Sequence, residues 1–272
     1  MKQLLFPLII ISILTGCKTK KQESEKAINL LPLNTYFQNS ELPAAIMGYS
    51  NKEGQMKWYA YGPSVWGGKD TINENNVFRI YSMTKAIASV AALQLVEKDS
   101  IGLDDPLDKL MPEMTSIPIL TKDGELVTAS KTITLRNLLT HTAGFGYEFL
   151  DNRLQSFDKS DWKYDDLPRL FEAGKRWQYG TNIDWVGKII EKISGEDLET
   201  YLRKNITNKE NLNFYFGLDD LQMPNVADLS LKKTNEKNSD YKNEDFNAFN
   251  NPEQNIEFYN SQSWRKAEIP SM

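Results

Sequence analysis

The sequence predicts an α+β fold in which a buried helix follows a candidate nucleophile. Two alternating apolar runs, at residues 44–49 and 56–61, flank a Gly-containing turn at 51–54 and predict an antiparallel β-hairpin. The stretch 86–96 is apolar on nearly every side, which is typical of a helix inside a core. Leucines at i, i+3 and i+4 predict a further helix after Thr134, with Thr134 as its N-cap.

Composition and charge restrict the classes of function. The 272 residues are 40% hydrophobic and 25% charged, with a net charge of −5, which is an ordinary globular composition. That charge and the lack of a basic tract argue against a nucleic-acid partner. With one cysteine and one histidine, the chain has no internal disulfide and no metal site built from those residues. We therefore expect no metal ion and no cofactor.

The N-terminal 40 residues predict export and a lipid anchor. An apolar run at 4–14 is too short to span a membrane and is typical of a signal peptide. It ends in Leu-Thr-Gly-Cys, which resembles a bacterial lipobox, so residues 1–16 are predicted to be removed and Cys17 to be lipidated. Residues 17–40 are polar and predict a tether in the bacterial cell envelope. An uncleaved apolar tail with an incidental cysteine is the alternative.

Ser82 and Lys85 are the candidate catalytic groups. They are three residues apart, a spacing that places both side chains on one face of a helix. A desolvated lysine can help to remove the proton of a serine, and a helix N-terminus favours the negative charge that develops. Because Ser-x-x-Lys is a short motif, a helix cap followed by an exposed lysine is the alternative.

Three blocks of sequence resemble the penicillin-recognising serine hydrolases, in the order that the family has. They are FRIYSMTKAIASVAALQLVEKDSIGLDD at 78–105, LRNLLTHTAGF at 135–145 and WQYGTNIDWVGKIIEKISGEDLETYLRKNI at 177–206. The nearest relatives look like class C β-lactamases, the esterases that share their fold and low-molecular-weight penicillin-binding proteins. The resemblance implies a β-lactamase/transpeptidase-like fold, an antiparallel sheet plus a helical lobe, in a partial domain at 41–272.

Tyr179 matches the catalytic tyrosine of that family. It follows Trp177 by two residues and precedes Asp184 by five, which is the spacing that relatives show. The resemblance implies that its phenol moves a proton between Ser82 and the leaving group, helped by Lys85. A buried structural tyrosine is the alternative.

Two polar residues and one aromatic segment have open roles. Asn182 lies one position later than the asparagine of the family's Tyr-x-Asn motif, so it is either a substrate-binding residue or a helix N-cap. This departure favours the esterase-like branch. The resemblance implies that His141 is structural and not a general base. The alternative, a Ser-His-Asp hydrolase, would have to use this histidine, and the chain lacks the Gly-x-Ser-x-Gly motif found in one large class of such enzymes. Residues 146–166 form either a binding wall or a surface loop that packs on its own lobe.

The family's third motif, Lys-Thr-Gly or a Gly-rich substitute, does not follow Tyr179, and the tail from Leu231 is rich in asparagine and charge. We therefore expect the chain to lack C-terminal sheet strands and a C-terminal helix. The predicted function is a serine hydrolase that acts through an acyl-serine on esters, β-lactams or cell-wall peptides, with no obligate protein partner. The alternative is a truncated, inactive lipoprotein that keeps the front half of the fold, since one lost oxyanion donor costs about 10²–10³ in rate.

Overall fold

Short strands alternate with helices in an α+β arrangement. The computed structural model describes residues 35, 44–65, 68–163, 166–209, 212–216 and 225–227, and the backbone of 230–232 and 246–248. Its strands are β1 (Ala45–Ser50), β2 (Met56–Tyr61), β3 (Ile119–Leu120), β4 (Leu126–Val127), β5 (Ser230–Lys232) and β6 (Phe246–Ala248). Its α-helices are α1 (Thr84–Glu97), α2 (Pro112–Thr115), α3 (Leu135–Leu139), α4 (Asn152–Ser156), α5 (Asn182–Ser194) and α6 (Leu198–Leu202). Turns of 3₁₀-helix lie at Tyr81–Met83 and Glu148–Leu150, and a π-helical turn at Arg203–Thr207.

The predicted N-terminal hairpin is present. β1 and β2 are antiparallel, with Ala45 opposite Tyr61, and the side-chain oxygen of Asn51 accepts hydrogen bonds from two N–H groups of the turn. Gly54 has φ 80°, a left-handed backbone that glycine adopts readily. The hairpin has one buried side chain, Tyr59, whereas three large apolar side chains are 39–50% exposed: Met47, Met56 and Trp58.

Two further strand pairs are described. β3 pairs with β4 in a small hairpin around Gly124, and β5 pairs with β6. Each of the three sheets in the described part of the chain has two strands. Val77 makes an isolated parallel bridge to Val226 just before the 3₁₀ turn.

The main core lies between α1, α5 and α6, and α3 packs against α5. Alanines on α1 allow close approach of the larger aliphatic side chains of α5; the core members on these two helices are Ala88, Ala91, Ala92, Leu95, Ile183, Trp185, Val186, Ile189 and Ile190. The expectation that α1 is buried on nearly every side is wrong for one face. Val90 and Leu93 are 48% and 46% exposed there.

A side-chain cap marks the start of α3, whereas α5 begins without a side-chain capping hydrogen bond. Thr134 caps α3 as predicted, in a reciprocal capping box with Asn137. The N-cap of α5 is Thr181, so the alternative that made Asn182 the N-cap is wrong, and Asn182 is the first helical residue. α5 is followed by its C-cap residue Gly195, whose left-handed φ of 69° is typical of a helix C-terminus.

Several predictions fall outside the described part of the chain. They concern the signal peptide at 1–16, Cys17 and most of the tether at 17–40, and the expected lack of C-terminal strands and helix. Among the described residues, no helix combines the length and the apolar character that a membrane crossing requires.

Candidate active site

Ser82 is exposed on the 3₁₀ turn that leads directly into α1. The preceding residue, Tyr81, has φ 42°, a left-handed backbone that costs a non-glycine residue about 1–2 kcal/mol. The N–H groups of a first helical turn have no partner within the helix, and the helix dipole is positive there. Ser82 therefore lies near the positive end of the α1 dipole, while the next main-chain N–H, that of Met83, donates to the carbonyl oxygen of Ile80 over 3.0 Å.

Lys85 lies one turn further along and is buried, with 7% of its surface exposed. Its Nζ donates a hydrogen bond to Ser82 Oγ over 3.3 Å. The same ammonium lies 5.4 Å from the ring centre of Tyr179 and 5.8 Å from that of Tyr147, where ring faces attract a cation. The alternative of an exposed lysine is therefore wrong.

Tyr179 reaches Ser82 from a segment 97 residues later in the chain, and its hydroxyl donates to Ser82 Oγ over 2.7 Å. The close approach of this segment depends on Gly180. A Cβ there would lie 2.4 Å from the carbonyl oxygen of Phe145 and 2.5 Å from Cα of Gly146. The structure thus brings Ser82, Lys85 and Tyr179 together around one oxygen atom, and their catalytic roles stay predictions.

Aromatic rings flank Tyr179 on both sides. Its ring centre is 4.9 Å from that of His141 and 5.3 Å from that of Tyr147. Beyond these, Trp177 lies 6.3 Å from His141, and Phe149 stacks on Tyr147 at 5.0 Å. We name these five rings the aromatic row. Its two ends, Trp177 and Phe149, are 64% and 62% exposed, whereas Tyr147 is 2% exposed.

The aromatic segment at 146–166 therefore contributes to two places. Tyr147 and Phe149 belong to the aromatic row beside Ser82, while Trp162 packs edge-on against Phe157 at 5.5 Å within its own part of the lobe. Trp162 thus fits the interpretation of a loop that packs on its own lobe, and a binding wall at Tyr147 and Phe149 stays a prediction. Tyr164 lies outside the described residues.

Asn182 is completely buried behind the site, at 0% exposure. Its Nδ2 lies 3.1 Å from His141 Nδ1 and donates to the carbonyl oxygen of Phe145 over 3.3 Å. Substrate binding was one of the two roles expected for Asn182. Its burial and its contact with His141 favour a role in holding His141 instead. No sequence signal pairs the two residues, because 41 positions separate them.

His141 lies beside Lys85 and Tyr179 and is partly buried. Burial, and after it the charge of Lys85, lower the pKa of His141 to about 4. The imidazole is therefore neutral at physiological pH. Within the described residues, no group of three or more His, Cys, Asp or Glu side chains is arranged to hold a metal ion.

The chain matches a family model and is similar to several curated proteins. A family model described as Beta-lactamase matches residues 44–258. Monacolin J acid methylbutanoyltransferase of Aspergillus terreus is 36% identical over 143 residues, which are 47% of this chain and 35% of that protein. Lovastatin esterase of Penicillium rubens is 33% identical over 159 residues, covering 52% and 39%. Esterase EstB of Burkholderia gladioli is 32% identical over 143 residues, covering 47% and 35%.

Solved structures show the same fold. Unliganded simvastatin synthase LovD of Aspergillus terreus superimposes with a TM-score of 0.71 and 25% identity, covering 84% of this chain and 62% of that chain. A β-lactamase/D-alanine carboxypeptidase of Yersinia pestis gives 0.55 and 20%, covering 71% and 56%. The predicted β-lactamase/transpeptidase-like fold is therefore confirmed. The chain spans less than two thirds of the length of these relatives.

Proposed function

The chain belongs to the β-lactamase family, and on that basis we propose that it forms an acyl-serine intermediate at Ser82 and cleaves or transfers esters. The observation that carries the proposal is the convergence of Lys85 Nζ and Tyr179 Oη on Ser82 Oγ, at 3.3 and 2.7 Å. The similar proteins are named as acyltransferases and esterases. Those two activities share one acyl-enzyme and differ only in whether water or an alcohol receives the acyl group.

Removal of the Ser82 proton requires one member of the Tyr179–Lys85 pair in its unprotonated form, such as a Tyr179 phenolate beside the Lys85 ammonium. When Ser82 Oγ attacks the ester carbonyl carbon, its proton passes to that member. The tetrahedral oxyanion forms near the helix N-terminus of α1, where the positive end of the helix dipole stabilises it. Collapse breaks the ester C–O bond, and the pair returns the proton to the leaving alkoxide. Water or a second alcohol then attacks acyl-Ser82, gives its proton to the pair, and the pair restores the Ser82 hydroxyl.

The rim of the site supports apolar acyl groups as substrates. Three large apolar side chains are more than half exposed and either follow Ser82 in the sequence or end the aromatic row: Met83 at 64%, Phe149 at 62% and Trp177 at 64%. Burying such surfaces against an apolar group is favourable, and aromatic side chains bury the largest areas. We therefore infer that esters of apolar acids are preferred over β-lactams and cell-wall peptides.

Labelling with a fluorophosphonate tests the nucleophile. Wild-type protein is expected to be labelled and Ser82→Ala to remain unlabelled. Ser89→Ala is the matched control, because Ser89 lies on the same helix and donates to the carbonyl of Lys85 over 2.7 Å, away from Ser82 Oγ. Equal labelling of wild type and Ser82→Ala would remove Ser82 as the nucleophile. A folded wild type that is neither labelled nor active on p-nitrophenyl butyrate or nitrocefin would support the inactive lipoprotein.

We also propose that Cys17 carries a lipid that holds the protein in the bacterial cell envelope. The apolar run at 4–14 and the Leu-Thr-Gly-Cys sequence that ends at Cys17 support this. Expressed in a bacterium fed with labelled palmitate, Cys17→Ser is expected to lose the label and to leave the membrane fraction. Ser24→Ala, a change in the predicted tether, is the control. Unchanged labelling of Cys17→Ser would contradict the anchor.

A further inference from the structure

The amide of Asn182 can point in only one direction. Its Nδ2 lies 3.3 Å from the carbonyl oxygen of Phe145 and 3.5 Å from that of Gln178. Carbonyl oxygens accept hydrogen bonds and never donate, so the atom that faces them is the NH₂ group. The opposite atom, Oδ1, has no hydrogen-bond partner among the described residues. In the flipped amide, Oδ1 would face the two carbonyl oxygens, and both of these hydrogen bonds would be lost.

That orientation fixes the position of the proton on His141. The same NH₂ group lies 3.1 Å from His141 Nδ1. Two N–H groups that face each other at this distance repel, so Nδ1 has to be the acceptor. A neutral imidazole with an accepting Nδ1 carries its proton on Nε2.

His141 is in turn attached to the segment that carries Tyr179. The main-chain N–H of Gln178 donates to the carbonyl oxygen of His141 over 2.9 Å. The two rings lie 4.9 Å apart with an angle of 49° between their planes. His141 itself has φ 55°, a left-handed backbone that a non-glycine residue adopts only where its surroundings hold it.

We propose that Asn182 and His141 are positioning residues: Asn182 holds the imidazole as the neutral Nε2–H form, and the imidazole holds the Tyr179 ring over Ser82. The catalytic consequence rests on the proposed function, whereas the state of the imidazole does not. Lys85 and Tyr179 are the titratable groups that face His141 in the described structure. The neutral form of the imidazole matters because of the charge on Lys85. An imidazolium would repel the ammonium of Lys85 and would remove the acceptor that Asn182 uses.

The single histidine of the chain allows a direct test by NMR. With ¹⁵N-labelled histidine, two-bond ¹H–¹⁵N spectra give one imidazole pattern, and its shifts report the tautomer. The expected pattern is that of the Nε2–H form, unchanged between pH 8 and pH 5.5. A pattern of the Nδ1–H form, or a titration midpoint near the ordinary value of 6.5, would overturn the proposal.

Asn182→Asp tests the contact itself. A carboxylate opposite Nδ1 accepts a hydrogen bond from a protonated Nδ1, and a neighbouring negative charge raises the midpoint of the histidine by about 1 to 3 pH units. Asn205→Asp is the control, because it adds the same charge at a residue whose amide donates to the carbonyl of Tyr201. A midpoint unmoved in folded Asn182→Asp would overturn the contact. Should this variant not fold, the tautomer of the wild type decides.

Acylation kinetics test the effect on Tyr179. His141→Ala is expected to slow the fluorophosphonate reaction of Ser82 by about 10- to 100-fold, with the concentration for half-saturation nearly unchanged. His141→Gln keeps an acceptor for Asn182 and is expected to recover most of the rate. A wild-type rate in His141→Ala, or a His141→Gln variant as slow as His141→Ala, would overturn the positioning role. If Ser82 were not the nucleophile, no variant would react there and the NMR result would still stand.

Discussion

The helical lobe and the β1–β2 hairpin differ in how their side chains are held. In the lobe, Val186 and Ile189 have no exposed surface and fill the contact between α1 and α5. In the hairpin, Tyr59 is the buried residue, and its large apolar neighbours are open to solvent. The groups that converge on Ser82 come from the lobe. We infer that helix packing sets the geometry of the site and that the hairpin contributes little to it.

The largest effect on the labelling rate of Ser82 is expected from Gly180→Ala in the lobe. A Cβ at this position would lie 2.4 Å from the backbone oxygen of Phe145, and backbone cannot move aside as a flexible side chain can. Displacement of Tyr179 by about 1 Å is expected to slow the labelling of Ser82 roughly 100-fold. Labelling rates and thermal unfolding check this.

The matched change in the hairpin is Gly54→Ala. Gly54 also needs a left-handed backbone, but a Cβ there would meet no atom within 4 Å. The variant is expected to lose about 1–2 kcal/mol of stability and to keep the wild-type labelling rate. A loss of labelling as large as that of Gly180→Ala would mean that the hairpin does shape the site.

Truncation of a buried apolar side chain in the lobe is expected to have the next largest effect, on the free energy of unfolding. Ile189→Ala is expected to lower the free energy of unfolding by about 2–5 kcal/mol, because a fully buried side chain leaves a cavity. Met56→Ala, at a hairpin residue that is 50% exposed, is expected to change it by no more than about 0.5 kcal/mol. Urea unfolding of both variants checks the difference, and equal losses would contradict it.

Protonation of His141 is expected to lower the free energy of unfolding by less than about 3 kcal/mol, because its pKa is 6.5 in the unfolded chain and about 4 in the folded one and the partly buried ring stays in contact with solvent. Above pH 6.5 both states are neutral and the stability is complete. Between pH 6.5 and 4 the unfolded state binds the proton first, so stability falls as pH falls. His141→Gln is expected to show a flatter stability profile over this range. Parallel profiles for both proteins in urea would contradict the shift.

Trp177→Ala is expected to have the smallest effect, which is confined to the binding of the ester. Trp177 is 64% exposed at one end of the aromatic row, so its loss should leave unfolding unchanged. Lost contact with an apolar acyl group is expected to raise KM about 5- to 10-fold for p-nitrophenyl octanoate and less for the acetate, through roughly 1 kcal/mol of binding. Steady-state kinetics with the two esters check this, and equal changes for both would argue against an acyl contact.

Local patterns in the sequence predict the local parts of this structure. The hairpin register follows from alternation and a turn, and the Ser82–Lys85 contact follows from one helical turn. Tyr179 follows from its resemblance to a family motif. In contrast, the exposed face of α1 does not follow from its composition, because burial depends on which elements pack against a helix. The bond between Asn182 and His141 joins residues 41 positions apart, and no local pattern encodes it.

The backbone of Tyr81 limits how the nucleophile helix can vary. A left-handed residue breaks the ladder of helical hydrogen bonds, so α1 cannot lengthen toward its N-terminus by one more turn. Because alanine has the highest helix propensity, a segment as rich in alanine as this one would otherwise extend its helix readily. Such an extension would draw Ser82 into the helix interior and engage its amide with a carbonyl. Tyr81 thus acts as a stop that keeps the serine at the terminus, at the cost of local strain.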